Sequence, residues 1–256
     1  MYNPYSLEGR TILVTGASSG IGKVTAIECA KMGATVIVTG RNEERLHETL
    51  ASLDNVGKEH KAIVADLSVP EELEKVVTVA EKINGLVLCA GTIKTLPFNF
   101  CKRESVDKIF EVNFFVPMEL LRLFAKKKQL IDSASVVIVS SIGGVYTHVS
   151  GNCVYDATKA AINSIMKSAA RELAPKKIRV NSVCPGMVNT PLINLEALTA
   201  EQFEVEKSAY PLKRYGEPMD IAHGIIYLLS DAASWVTGHS LVIDGIFNGV
   251  GSVLSF

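Results

Sequence analysis

The sequence predicts an α/β fold: a single doubly wound domain over 1–256, with a parallel sheet of about seven strands and helices on both faces. Three observations carry this expectation. Apolar runs of strand length recur along the chain, each is followed by a stretch of helical pattern, and no Pro/Gly/Ser linker or composition break divides them. Strands that are apolar throughout are buried on both faces, as happens in a parallel sheet covered by its crossover helices.

The first run, Thr11-Ile12-Leu13-Val14, leads through a glycine turn into an amphipathic stretch from Ile21 to Met32. Thr35 to Thr39 is β-branched throughout, which favours a strand, and a charged helix follows from Glu43 to Leu53. Ala62-Ile63-Val64 precedes Asp66, and Pro70 with Glu71 and Glu72 begins the next helix. Proline at a first helical position followed by acids suits the helix start, where amide hydrogens lack partners and the dipole is positive. Leu86 to Cys89 is the fourth strand, and one helical region is expected from Ser105 to Lys128. Ser135–Ser140 is a further strand, followed by a helix from Tyr155 to Leu173. Ile178–Val183, a helix over Met219–Leu229 and Ser240–Ile243 complete the alternation.

Composition fits an ordered globule, with 48% hydrophobic and 21% charged residues. The formal net charge of −1 supplies no global field to attract nucleic acid or acidic membrane, so neither partner is expected. Met1–Arg10 lacks the basic-then-apolar pattern of a secretory signal. No apolar run approaches the roughly 18 residues of a membrane span. The five cysteines are scattered and lack C-x-x-C spacing. They suit free thiols in a reducing compartment, and a cytoplasmic location with no metal site is expected.

Ligands of such sheets bind beyond the carboxyl ends of the strands. That rule selects 16–22, 39–42, Asp66, Ala90–Gly91, Ser140–Ser141 and 185–190. After the first strand stand Gly16, Ala17, Ser18, Ser19, Gly20, Ile21 and Gly22, in G-x-x-x-G-x-G spacing. Glycines there let the backbone bend tightly and approach a pyrophosphate at the N-terminus of the next helix. Any tight turn can hold glycines; the strand before and helix after make this one a candidate dinucleotide site. At the end of the second strand an NAD site ordinarily places an acid for the ribose hydroxyls. This chain has Gly40-Arg41, a guanidinium suited to a 2′-phosphate, so NADP is expected over NAD. An ordinary surface arginine is the plainer alternative.

Tyr155 and Lys159 are four residues apart and share a helix face. A phenol with an ordinary pKa of about 10 shuttles protons poorly at neutral pH, and a nearby ammonium is expected to lower that value. Y-x-x-x-K alone is a chance pattern, and Ser141 alone is an ordinary strand-end serine.

Together these motifs resemble the short-chain dehydrogenase/reductase family, in its single-domain Rossmann form, from Leu7 to about Gly245. Thr15–Gly22 is similar to its T-G-x-x-x-G-I-G, and Tyr155 with Lys159 to its Y-x-x-x-K. The resemblance implies that Asp66-Leu67 holds the adenine ring and that Ala90-Gly91 approaches the cofactor. It implies that Pro185, Gly186, Val188 and Thr190 line the nicotinamide, Thr190 meeting its carboxamide. It further implies that Ser141 orients a carbonyl, Tyr155 acts as acid or base, and Lys159 holds the nicotinamide ribose and lowers the tyrosine pKa. Asn113 is implied to support a water that relays protons through Lys159. Asp244-Gly245 resembles the family's C-terminal signature near a subunit contact.

Three departures stand out. Cys89 replaces an asparagine of the family's N-N-A-G, so some sheet hydrogen bonding is expected to be lost while cofactor binding survives. The Ser141–Tyr155 interval is one residue longer than usual, with Ser140 the alternative serine. Ile246 replaces the second glycine of D-G-G, which bears on the subunit interface more than on chemistry.

The expected function is an NADP-dependent reductase of a small-molecule ketone, similar to 3-oxoacyl-acyl-carrier-protein reductases. Reduction is favoured because NADP is. Those enzymes dock an acidic carrier on basic residues, here Arg122, Lys126–Lys128 and Arg171, although charged helix faces are usually just solvated. A substrate loop is expected at about 191–215, carrying Leu192, Ile193, Leu195, Leu198, Phe203, Tyr210 and Leu212. With Val145, Tyr146 and His148 it suggests a modestly apolar, neutral pocket. Alternatives are an NAD-dependent alcohol, sugar or steroid dehydrogenase and a non-catalytic dinucleotide sensor. A nucleotide-sugar epimerase or dehydratase resembles longer chains with an added substrate domain. The resemblance also implies a homo-oligomer, dimer or tetramer, to which the apolar ending Val250–Phe256 could contribute.

Overall fold

The computed structural model describes residues 2–54, 57–192 and 210–245, together with 204, 205, 207 and 208. Seven strands form one sheet: β1 (Thr11–Thr15), β2 (Thr35–Gly40), β3 (Lys61–Val64), β4 (Ile83–Leu88), β5 (Leu130–Val139), β6 (Arg179–Pro185) and β7 (Ser240–Ile243). Their order is β3-β2-β1-β4-β5-β6-β7, and every pairing is parallel. The helices between them are α1 (Gly20–Lys31), α2 (Glu43–Ala51), α3 (Pro70–Ala80), α4 (Arg103–Phe110), α5 (Val116–Lys126), α6 (Cys153–Leu173) and α7 (Pro218–Leu229).

Two apolar layers cover the sheet, and the strand period of two sorts residues between them. Leu13, Leu86, Leu88, Val136 and Ile138 face the layer formed with α3, α5 and α6. Ile12, Val14, Val87, Val137 and Val139 face the layer formed with α1 and α7. This two-sided burial explains why the strands read as continuous apolar runs.

Order reverses between β1 and β4, since the chain runs outward to β3 and then returns. The carboxyl ends of those two strands therefore frame a crevice. Gly16, at φ +65°, lies so close to Ala90 that an added Cβ would come within 2.9 Å of the Ala90 Cα.

The helical region expected from Ser105 to Lys128 is present, but it is not α-helical throughout. A five-residue π-helical turn, Glu111–Phe115, separates α4 from α5. The extra residue in that turn re-aims the ladder of side chains, a device frequent at functional sites. Here it carries the buried Asn113. Other boundaries moved by a few residues: β5 starts at Leu130, through an irregularity opposite Ile83–Gly85, and α6 starts at Cys153.

Candidate active site

The first-strand turn forms a bare cradle. Gly22 has no room for a Cβ because the Gly16 carbonyl occupies that space. Gly20 adopts φ +52° beneath Thr190, whose methyl would lie 3.4 Å from an added Cβ. Ser19 occupies the N-cap of α1 without making a side-chain capping bond. The cradle, the unspent hydroxyl and the positive helix end all suit a pyrophosphate, so these residues fit a dinucleotide. Ile21 is half-buried beside them.

Gly40 lets Ser18 approach the end of β2, its Oγ 3.4 Å from where a Cβ would stand. Next to it Arg41 is exposed and lies 3.7 Å from Asp66. Two residues expected at different parts of the cofactor are thus brought together as an ion pair. The Ser68 hydroxyl, at 2.7 Å, holds the Asp66 carboxyl below its ordinary range, with Arg41 assisting. Leu67 is buried beside it.

The β4 end is tied to β1 by one hydroxyl. Thr15 Oγ1 accepts the N–H groups of Cys89 and Ala90, at 2.9 and 3.1 Å, and donates to the Val87 carbonyl. Gly91 stands under Asn113 Oδ1 and Lys159 Nζ, 3.4 and 3.7 Å from its missing Cβ. The Cys89 side chain packs against the α1/α7 layer, and burial pushes its thiol up to about 12. It is a neutral apolar filler where the family pattern has an amide.

Asn113 is held on both sides. Its Oδ1 accepts the Thr92 N–H at 2.8 Å, and its amide donates to the Thr92 carbonyl and to Thr158 Oγ1. Thr158 in turn donates to the Tyr155 carbonyl at 2.6 Å. The π-helical turn is thereby pinned to the first turns of α6. Thr92 and Thr158 were not singled out from the sequence, because their contributions are a main-chain group and a relay hydroxyl that no spacing betrays.

On α6 the Lys159 ammonium lies 5.6 Å from the centre of the Tyr155 ring and donates to the Val139 carbonyl at 2.9 Å. Both groups are shifted against ionisation. Burial lowers Lys159 to about 8 and raises Tyr155 to about 12, with Ser141 pulling the phenol down and Asp156 pushing it up. The expected depression of the tyrosine pKa is therefore not found in the protein alone: desolvation of the phenolate is the largest influence on it.

The two serines separate cleanly. Ser140 is buried and its hydroxyl donates to the Lys159 carbonyl, a tie between β5 and α6. Ser141 Oγ accepts the Gly143 N–H at 3.0 Å, and its hydroxyl hydrogen-bonds the Tyr155 phenol. It also lies close enough to lower the Tyr155 pKa. The longer interval between Ser141 and Tyr155 is taken up by a loop folded on itself, in which Tyr146 and Thr147 N–H groups both reach the Ile142 carbonyl. Gly143 and Gly144 lie against Asp156, which occupies the space their side chains would take. Asp156 falls in the unspecified part of Y-x-x-x-K, so the motif does not mark it.

The β6 end supplies the last wall. Gly186 packs on Asp244, its N–H donating to the Ile243 carbonyl at 3.0 Å. Pro185 accepts from the Ile142 N–H, Val188 is buried and bridges to Gly216, and Thr190 covers Gly20. Of the expected substrate loop, Leu192 and Leu212 are exposed, whereas Tyr210 is buried edge-on against Tyr215 at 5.3 Å. Ile193, Leu195, Leu198, Phe203, Ile246 and the 250–256 ending lie outside the described residues. Tyr146 and His148 are exposed at the loop beside the site. Among the described residues no group of three or more metal-ligating side chains is found, and no helix is long and apolar enough to cross a membrane.

The family described as Enoyl-(Acyl carrier protein) reductase matches residues 16–248. A 3-oxoacyl-(acyl-carrier-protein) reductase of Thermotoga maritima is 35% identical over 93% of this chain and 98% of its own length. A tropinone reductase homolog of Arabidopsis thaliana is 34% identical over 95% of this chain and 91% of its own. Among solved structures, a dehydrogenase/reductase from Sinorhizobium meliloti superposes with a TM-score of 0.86 at 31% identity, covering 94% of this chain and 96% of that one.

Proposed function

The chain belongs to the short-chain dehydrogenase/reductase family of NAD(P)-dependent oxidoreductases, and on that premise we propose that it is an NADP-dependent reductase of a ketone. The carrying observation is the convergence of Ser141, Tyr155 and Lys159 at the carboxyl edge of the sheet, beside the bare glycine cradle.

Gly16, Ser18, Ser19, Gly20, Ile21 and Gly22 hold the pyrophosphate, Arg41 the 2′-phosphate, and Asp66 with Leu67 the adenine. Ala90, Gly91, Pro185, Gly186, Val188 and Thr190 line the nicotinamide, and Lys159 holds its ribose. When bound, NADPH supplies the hydride. Ser141, hydrogen-bonded to Tyr155 in the absence of substrate, turns its hydroxyl toward the substrate oxygen, and Tyr155 gives up the phenolic proton to that oxygen as its charge develops. Burial pushes the phenol up to about 12, so it carries its proton at neutral pH; reduction is favoured over alcohol oxidation because NADP is. Asn113 positions α6 through the bonds of its side-chain amide to Thr92 and Thr158, and the proton-relay water is placed beside it on the same reading.

The Arg41–Asp66 pair does not oppose this assignment. It is loose and exposed, so opening it costs under about 1 kcal/mol. The 3-oxoacyl-carrier and tropinone names both describe ketone reduction, and they are about equally similar to this chain. A ketone, free or carried on an acyl-carrier protein, is the substrate class they share. The domain is proposed to be 1–256 with a substrate loop at 191–215, working in the cytoplasm as a homo-oligomer.

Cofactor titration by fluorescence tests the reading, with NADPH and NADH on the wild type and on Arg41→Ala. NADPH should bind at least tenfold tighter, and the substitution should remove that preference. Equal or tighter NADH binding would favour an NAD-dependent alcohol, sugar or steroid dehydrogenase.

A further inference from the structure

We propose that Cys101 and Cys153 form a redox-modifiable dithiol, closed to an intramolecular disulfide by small-molecule disulfide oxidants, that staples the segment after β4 to the start of the helix carrying Tyr155. The two Sγ atoms lie 3.6 Å apart although 52 residues separate them in sequence. Both are free and half-buried, so neither is sealed in the core as Cys29 and Cys184 are.

Their surroundings already hold the two segments in register. Leu96 N–H donates to the Gly151 carbonyl at 2.8 Å, and Thr95 Oγ1 donates to Asn152 Oδ1 at 3.2 Å. Gly151, at φ +83°, lies so close to Thr95 that an added Cβ would stand 2.7 Å from its methyl. A disulfide needs the sulfurs at about 2.05 Å with matched Cβ geometry. A pair already in contact and flanked by two hydrogen bonds needs only a small movement of the 95–101 segment. Cys153 opens α6 two residues before Tyr155, and the 95–101 segment follows the Gly91 turn. The staple would thus join the cofactor-side turn to the proton-donating helix.

Oxidised glutathione is a suitable reagent of the class. The thiolate of one cysteine attacks a sulfur of the reagent, forming a mixed disulfide and releasing one glutathione thiolate. The second protein thiolate attacks the protein sulfur of that mixed disulfide and releases the other. The dithiol loses two electrons, the reagent gains them, and the two thiol protons end on the two released glutathiones. Burial, and then its hydrogen bond with Cys153, raises the Cys101 thiol above its usual value, so closure should quicken as pH rises.

The test treats the full-length protein with oxidised glutathione at pH 7 and pH 9, then measures intact mass and maps peptides without reduction. The expected product is lighter by two hydrogen atoms, carries a Cys101–Cys153 linked peptide, and reverts with dithiothreitol. It should unfold about 5 °C higher than the reduced form, because a long loop is closed, and the Leu96 and Asp156 amides should exchange more slowly. Cys101→Ser and Cys153→Ser should each abolish the link. Stable glutathione adducts without the link, or an equal loss of mass in Cys153→Ser, would overturn the proposal. None of these readouts involves turnover, so they stand apart from the fate of the ketone-reductase reading.

Discussion

Lys159 and Tyr155 sit one helical turn apart on α6, the ammonium 5.6 Å from the centre of the phenol ring, and burial drives both toward their neutral forms. Removal from water is the largest influence on each. The phenol is therefore protonated at neutral pH and available to donate to a developing alkoxide. The lysine hydrogen bond to the Val139 carbonyl fixes where the ammonium stands.

Replacing Tyr155 with Phe removes the donor while leaving the ring. Turnover should fall about a hundred- to ten-thousandfold, the range for a lost general acid, with NADPH affinity within about twofold of wild type. Steady-state rates and a fluorescence titration measure the two. Wild-type turnover in the variant would refute the assigned role.

Lys159 makes stability pH-dependent. Its pKa is lowered from 10.5 to about 8, so between those values the folded chain binds fewer protons than the unfolded chain. Stability accordingly rises with pH across that window, and the full cost of burying the charge is present below pH 8. Lys159→Met should therefore stabilise the cofactor-free protein at pH 7, with the gain shrinking toward pH 10 as the lysine becomes neutral. Urea unfolding at both pH values checks it.

Asp156 is buried, and desolvation raises its pKa, with the Val149 N–H and His148 (3.8 Å away) pulling it back. The folded chain then holds the proton to higher pH than the unfolded chain. Stability falls as pH rises through the raised value, and the ionised carboxylate is a cost at neutral pH. Asp156→Asn should raise the melting temperature at pH 7 and not at pH 3. Since Asp156 also pushes the Tyr155 pKa up, the tyrosine limb of the pH–rate profile should move to lower pH. A limb that stays in place would show that the carboxylate does not reach the phenol.

Gly22 is required by packing. An added methyl would strike the Gly16 carbonyl, so Gly22→Ala should cost about 1–3 kcal/mol of stability, typical of overpacking. NADPH affinity should fall with it, because the same shift opens the phosphate cradle. Chemical denaturation and cofactor titration report the two effects separately.

The strands, their parallel arrangement and the cradle were legible because two-sided burial leaves a continuous apolar pattern and tight turns demand glycine. The π-helical turn at Asn113 was not, since Glu111–Phe115 reads as ordinary helix until the buried amide must meet Thr92 and Thr158. Likewise Ser141 was preferred to Ser140 by spacing, but what each hydroxyl bonds to is settled only in space.

By itself the sequence determined the fold class, the order of its elements and the residue types available for chemistry, because local periodicity and backbone permissiveness are written residue by residue. Tertiary structure decided the quantities that depend on distance and on water: the burial that raises Tyr155 and lowers Lys159, the Arg41–Asp66 pairing, the loop that keeps Ser141 beside Tyr155, and the contact between Cys101 and Cys153. Electrostatics and close contact act through space, and residues far apart in the chain become neighbours only when the sheet and its helices close around them.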